Sequence, residues 1–139
     1  MSALEDLTRV CRMLGQDPLA PVDAAEALGT ISADLGPDLP IEFVPSSPAF
    51  TAGKVIREFG VEAVGVVSLK LAEPMEIEQL AAQFGEGKRA RDISIHAPRT
   101  MTYRVPQPEQ ACDCTVIAEL RRAGEKDVVV GFSVRRTKR

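Results

Sequence analysis

His96 is the only histidine of the chain, and it closes the run Asp92-Ile93-Ser94-Ile95-His96, which places a carboxylate, a hydroxyl and an imidazole within five residues. Nucleophilic catalysis uses these three groups, the imidazole taking the hydroxyl proton while the carboxylate orients the ring. In an extended segment, however, Asp92, Ser94 and His96 project to the same side and form a row rather than a convergent set. The run therefore reads as the polar side of a strand. No catalytic residue is assigned, and a small enzyme using His96 stands as one alternative.

Cys112 and Cys114 form a C-x-C pair whose thiolates, with His96 and a carboxylate, have the softness that zinc selects. Structural zinc sites repeat such a pair, and the remaining cysteine, Cys11, stands alone. No metal is assigned, and Cys114 reads as a small core side chain. Gly85-x-Gly87-Lys88-Arg89 has the backbone freedom and cations of a phosphate cradle. A phosphate loop runs from a strand into a helix, whereas this segment leaves a predicted helix. Thr51-Ala52-Gly53-Lys54 lacks the upstream glycine and sits inside another predicted helix. No cofactor is expected.

Asp92-Ile93-Ser94-Ile95-His96-Ala97 resembles, over six residues, the D-x-S-x-x-G element of PilZ-type cyclic-dinucleotide receptors. Ala97 stands where that element has glycine, and the upstream R-x-x-x-R is unmatched because Arg89 and Arg91 are wrongly spaced. The chain is not assigned to that family. A ligand reading nonetheless remains: a pocket edged by His96, Arg99, Tyr103 and Arg104 would take a small anion.

Charge supports that alternative only weakly. Residues 1–75 carry 5 basic and 11 acidic groups, and residues 76–139 carry 12 and 9, so the cations gather in the second half of a chain whose net charge is −3. Aromatic residues make up 4%, with one Tyr and no Trp. Few rings are left to stack on bases, so nucleic acid is an unexpected partner. The start Met-Ser-Ala-Leu-Glu-Asp is not a basic-then-apolar leader, and no apolar run approaches the length that spans a bilayer. With an odd number of cysteines, the expected location is the cytoplasm, off the membrane.

The elements that must position these residues follow from periodicity. At 139 residues, 45% of them apolar and 27% charged, the chain is expected to fold as one domain spanning 1–139 around one core. Leu4, Leu7, Val10, Cys11 and Leu14 predict a helix over 3–14, with Ser2 as cap and Gly15 as a left-handed stop. A second helix is predicted over 22–35, a third over 48–59 behind Ser47-Pro48, and a fourth from Pro74 to Phe84. Residues 39–44, bracketed by prolines, predict an edge strand. Residues 61–71 predict a central one, with Ala63, Val67, Leu69 and Leu71 on one face and Val64 and Val66 on the other. Met101, Tyr103 and Val105 alternate with polar residues and predict another strand.

Residues 112–139 carry the clearest pattern: two alternating strands about Ala123-Gly124-Glu125 predict a hairpin pairing Leu120 with Val128 and Val116 with Phe132. Val116, Leu120, Val130 and Phe132 are expected to face the core. The fold class is α+β, with N-terminal helices packed on one face of a mostly antiparallel sheet that ends in this C-terminal hairpin. Val64, Val66, Ile117 and Val129, apolar on the faces away from the assigned core, are the candidate interface. The leading expectation is a non-enzymatic protein-binding or assembly module, self-associating as a homodimer.

Overall fold

A computed structural model describes residues 2–16, 19–58, 63–89 and 99–137. The chain is α+β: helices α1 (Ala3–Leu14) and α2 (Pro21–Leu28), strands β1 (Gly29–Asp34), β2 (Ile41–Pro45), β3 (Phe50–Arg57) and β4 (Val64–Glu76), helix α3 (Ile77–Phe84), then strands β5 (Lys88–Arg89), β6 (Arg99–Val105), β7 (Asp113–Ala123) and β8 (Lys126–Thr137). The strands form one antiparallel sheet in the order β1-β2-β3-β4-β8-β7-β6-β5. Two four-stranded meanders therefore meet where β4 pairs with β8, and α3 carries the chain across to the far edge.

Ser2 caps α1 as its spacing predicts, its hydroxyl accepting from Glu5 N at 3.2 Å. Gly15 follows with φ −71°, so the helix stops without the left-handed turn expected of that glycine. Leu7, Val10, Cys11 and Leu14 of α1 are buried. The helix packs against β7 and β8, α2 packs against β1, β2 and β3, and α3 packs against β4, β6 and β8. One buried cluster runs from Ala3 to Val134 and draws on all three helices.

The register defines the two faces of the sheet. Val55 of β3 lies opposite Val67 of β4, Val67 opposite Val134 of β8, Val134 opposite Val116 of β7, and Val116 opposite Tyr103 of β6. All five are buried to 1% exposure or less. Each aliphatic member of such a row contributes about 1.5–3 kcal/mol by leaving water. On the opposite face, Glu42, Lys54, Ser68, Ser133, Ile117, Thr102 and Lys88 form the parallel row, and each is exposed or half-buried.

Several sequence expectations are corrected. The helix predicted over 22–35 ends at Leu28, because Gly29 brings its backbone against β2: a Cβ there would sit 2.0 Å from Val44 O. Ile31 thus belongs to the edge strand β1, and the proline-bracketed β2 lies inside the sheet. Residues 50–57 form a strand in place of the predicted third helix. There Gly53 and Val55 turn inward while Lys54 and Ile56 turn outward, and the Phe43 ring lies over Gly53, so that a Cβ would meet it at 2.3 Å. Helical spacing of Phe50, Val55 and Ile56 masks this arrangement. The fourth predicted helix starts at Ile77 rather than Pro74, with Glu76 and Gln79 forming its capping box.

The hairpin forms, in a different register. Val116 pairs with Val134 and Ala118 with Phe132, and beyond a bulge at Glu119/Leu120 the partner of Leu120 is Val129. The two-residue connection Gly124-Glu125, with Gly124 at φ +67°, closes the ribbon tightly, and the bulge then absorbs one residue. Val116 and Phe132 are fully buried as expected, whereas Leu120 and Val130 are half-buried.

Candidate functional site

Of the sequence-derived ligand residues, Arg99, Tyr103 and Arg104 do not share one face of the sheet. Arg99 and Tyr103 lie on the face of the buried valine row, because their cross-strand partners are Leu120 and Val116. Arg104 lies on the other face, its guanidinium 3.5 Å from Asp113 Oδ2. His96, with Asp92 and Ser94, lies outside the described residues. Tyr103 is 1% exposed and wedged beside Phe84 of α3, the ring centroids 6.4 Å apart, with its hydroxyl 3.7 Å from Met101 Sδ. Burial first, then the charge of Glu78, pushes its phenol pKa up. It is a core side chain and not the wall of an anion pocket.

Arg99 instead joins a charge cluster where α3, β5 and the hairpin tip meet. Asp127 Oδ2 lies 2.9 Å from Arg89, and Asp127 Oδ1 lies 3.1 Å from Arg99. The carboxylate is 2% exposed and its two cations are 57% and 44% exposed. Burial acts to raise the pKa of Asp127, but the hydrogen bonds and charges of the two arginines outweigh it and hold the carboxyl below its usual value. The adjoining cleft, about 330 Å³, is lined by Arg89, Arg122 and Lys126 but also by Glu76, Glu78, Glu125 and Asp127. Lys126 lies 2.8 Å from Glu76, whose bond and charge raise the lysine pKa. The charged lining of the cleft is thus three basic and four acidic groups.

Of the four interface candidates, Val64 and Val129 are 2% and 0% exposed and belong to the core cluster. A register shift between Ile56 and Arg57 turns Val64 inward, and the hairpin bulge does the same for Val129. Neither can meet a second molecule while the fold is intact. Val66 and Ile117 are half-buried on the outward face.

The β1–β3 sector holds a feature the sequence reading missed. Among the described residues, the large hydrophobic side chains left exposed are Leu35 at 76%, Leu39 at 47%, Val44 at 58% and Ile56 at 40%, and all four belong to the β1–β3 sector. Val44 and Ile56 point outward from β2 and β3, with Glu42 and Lys54 between them, 3.8 Å apart and about half exposed. Leu35 and Leu39 lie on the β1–β2 loop. Arg57 pins this loop, donating to Gly36 O at 3.0 Å and Leu39 O at 2.8 Å and pairing with Asp34 at 3.3 Å. The loop is thus held in place with its leucines in water. The signal lay in β3: read as a strand, its alternation sends Ile56 outward.

A second feature lies on the covered face. Cys114 of β7 meets Cys11 of α1, Sγ to Sγ 2.7 Å, with both residues at 1% exposure or less. The hydrogen bond to Cys11, then burial, then the charge of Cys11 drives the Cys114 thiol pKa strongly upward. Beside them Gln107 donates from Nε2 to Cys11 O at 3.0 Å and to Cys112 O at 3.2 Å, tying the β6–β7 loop to the last turn of α1. The C-x-C pairing is therefore replaced by a helix-to-strand pair, which 103 residues of separation hid from sequence reading. Among the described residues, no group of three or more His, Cys, Asp or Glu is placed to hold a metal ion, and no helix is long and apolar enough to cross a membrane. Compared with known protein families, with curated proteins and with solved structures, the chain matches none.

Proposed function

We propose that this chain is a one-domain, non-enzymatic assembly module of the cytoplasm, and that it acts by self-association through the outward face of β1–β3. The observation that carries this reading is the gathering of Leu35, Leu39, Val44 and Ile56 in one sector. Single apolar side chains are ordinary on a protein surface, but four exposed in one sector, with a charged pair among them, favour a contact surface. In an isologous contact the same patch serves both copies, and Glu42 and Lys54, side by side at its centre, can exchange partners across the twofold axis. The edge strand itself is a poorer contact. β1 is interrupted by a register shift between Ile31 and Ala33 and ends in the charged Asp34, both devices that blunt strand addition.

Sedimentation velocity and light scattering over a dilution series test the proposal. The expected species is twice the 15.0 kDa chain mass. Val44→Asp with Ile56→Asp is expected to return it to one chain mass with an unchanged far-ultraviolet spectrum, since both side chains are exposed in the free chain, at 58% and 40%. A wild-type mass of one chain up to roughly 1 mM, the weakest association worth counting as specific, overturns the reading. So does a dimer indifferent to both substitutions.

A further inference from the structure

We infer that Cys11 and Cys114 are a modification site: a buried dithiol that oxidises to an intramolecular disulfide joining α1 to β7. The two sulfurs face each other at 2.7 Å. An S–S bond of about 2.05 Å needs the sulfurs to approach by well under 1 Å more. Both strand and helix are held at this point by other contacts. Val10 and Leu14 flank Cys11 in the core, Val116 follows on β7, and Gln107 ties the end of α1 to the segment entering β7.

In the reaction the S–H bonds of Cys11 and Cys114 break and one S–S bond forms. Two electrons pass to a peroxide, which takes up the two protons and leaves as two waters. The oxidant must be small, because neither sulfur is exposed beyond 1%. Cys114 keeps its proton at neutral pH, since its pKa is driven upward by Cys11 and by burial, so the reaction is slow while α1 is seated and quickens when it lifts. Cys112, two residues away, is not part of the bond.

The test uses the whole chain with hydrogen peroxide as the probe. After exposure, the protein is denatured in an alkylating agent, digested without reduction and mapped by mass. The expected product links the Cys11 peptide to the Cys114 peptide with loss of two hydrogens, leaves Cys112 alkylated, and reverts on reduction. Because the linkage closes a loop of about 100 residues, the Tm of the oxidised form is expected to rise by roughly 10 °C over the reduced form. Three alkylated cysteines after exposure, a Cys112–Cys114 link, or a linked product of lower Tm overturns the inference. These readouts are independent of the dimer mass, so either proposal can fail alone.

Discussion

Asp127 offers a test in which removing a charge restores stability. Its carboxylate is 2% exposed and held by Arg89 at 2.9 Å and Arg99 at 3.1 Å. A hydrogen bond between charged groups contributes about 1.5–3 kcal/mol when both partners are buried. Here the donors are 57% and 44% exposed, and water screens each pair toward the surface value of about 0.2–1 kcal/mol. Arg89→Gln or Arg99→Gln alone should therefore cost up to about 1 kcal/mol. The double variant leaves a buried carboxylate without a cation, a different situation that costs about 3 kcal/mol or more. The coupling between the two arginines should thus exceed about 1 kcal/mol, and adding Asp127→Asn to the double variant should recover most of the loss.

Urea unfolding measures each difference, and its pH dependence supplies a sign. In the wild type the folded pKa of Asp127 is depressed. Its contribution is then fully present above the unfolded value near 3.9 and is lost as pH falls through the folded pKa. Without its arginines, burial alone acts and raises the folded pKa. The double variant should therefore gain stability at this site as pH falls from neutrality toward about 4, opposite to the wild type. Additive arginine substitutions, or a triple variant less stable than the double, would refute the reasoning.

Two further expectations concern packing. Gly53→Ala should destabilise by about 1–3 kcal/mol in urea unfolding, because the new methyl meets the Phe43 ring at 2.3 Å, and Phe43→Leu should relieve part of that cost. Gln107→Ala removes two side-chain bonds to Cys11 O and Cys112 O; it should cost about 1–2 kcal/mol and speed amide exchange in the last turn of α1.

What the sequence makes legible is local and periodic. Ser2, Leu7, Val10 and Leu14 spell α1 because cap and apolar stripe agree, and β7 and β8 are read correctly because alternation over eleven or more residues has no helical counterpart. The failures have physical causes. Phe50, Val55 and Ile56 fit both a helical face and a bulged strand, and the arbiter is the Phe43 ring seated over Gly53, a tertiary contact between strands. The hairpin register was off because a bulge adds a residue that alternation cannot count. Register shifts of the same kind turn Val64 and Val129 inward against the simple alternation. The Cys11–Cys114 pair and the Asp127 cluster join residues far apart in the chain and leave no spacing to read, whereas the exposed sector is hidden only by reading β3 as a helix.

The order of the strands also sets the order of folding. β4 finds its inner neighbour only in β8, with Val67 opposite Val134, so the middle of the sheet is joined by residues 67 positions apart. During synthesis on the ribosome, β1 to β4 can assemble as a meander well before β8 emerges. For that interval the ladder groups of β4, flanked by Val64, Val67 and Leu69, stand open to any strand that passes. Such long-range closure is slow. A nascent chain stalled between residues 77 and 126 is therefore the stage at which aggregation threatens and a chaperone has most to shield.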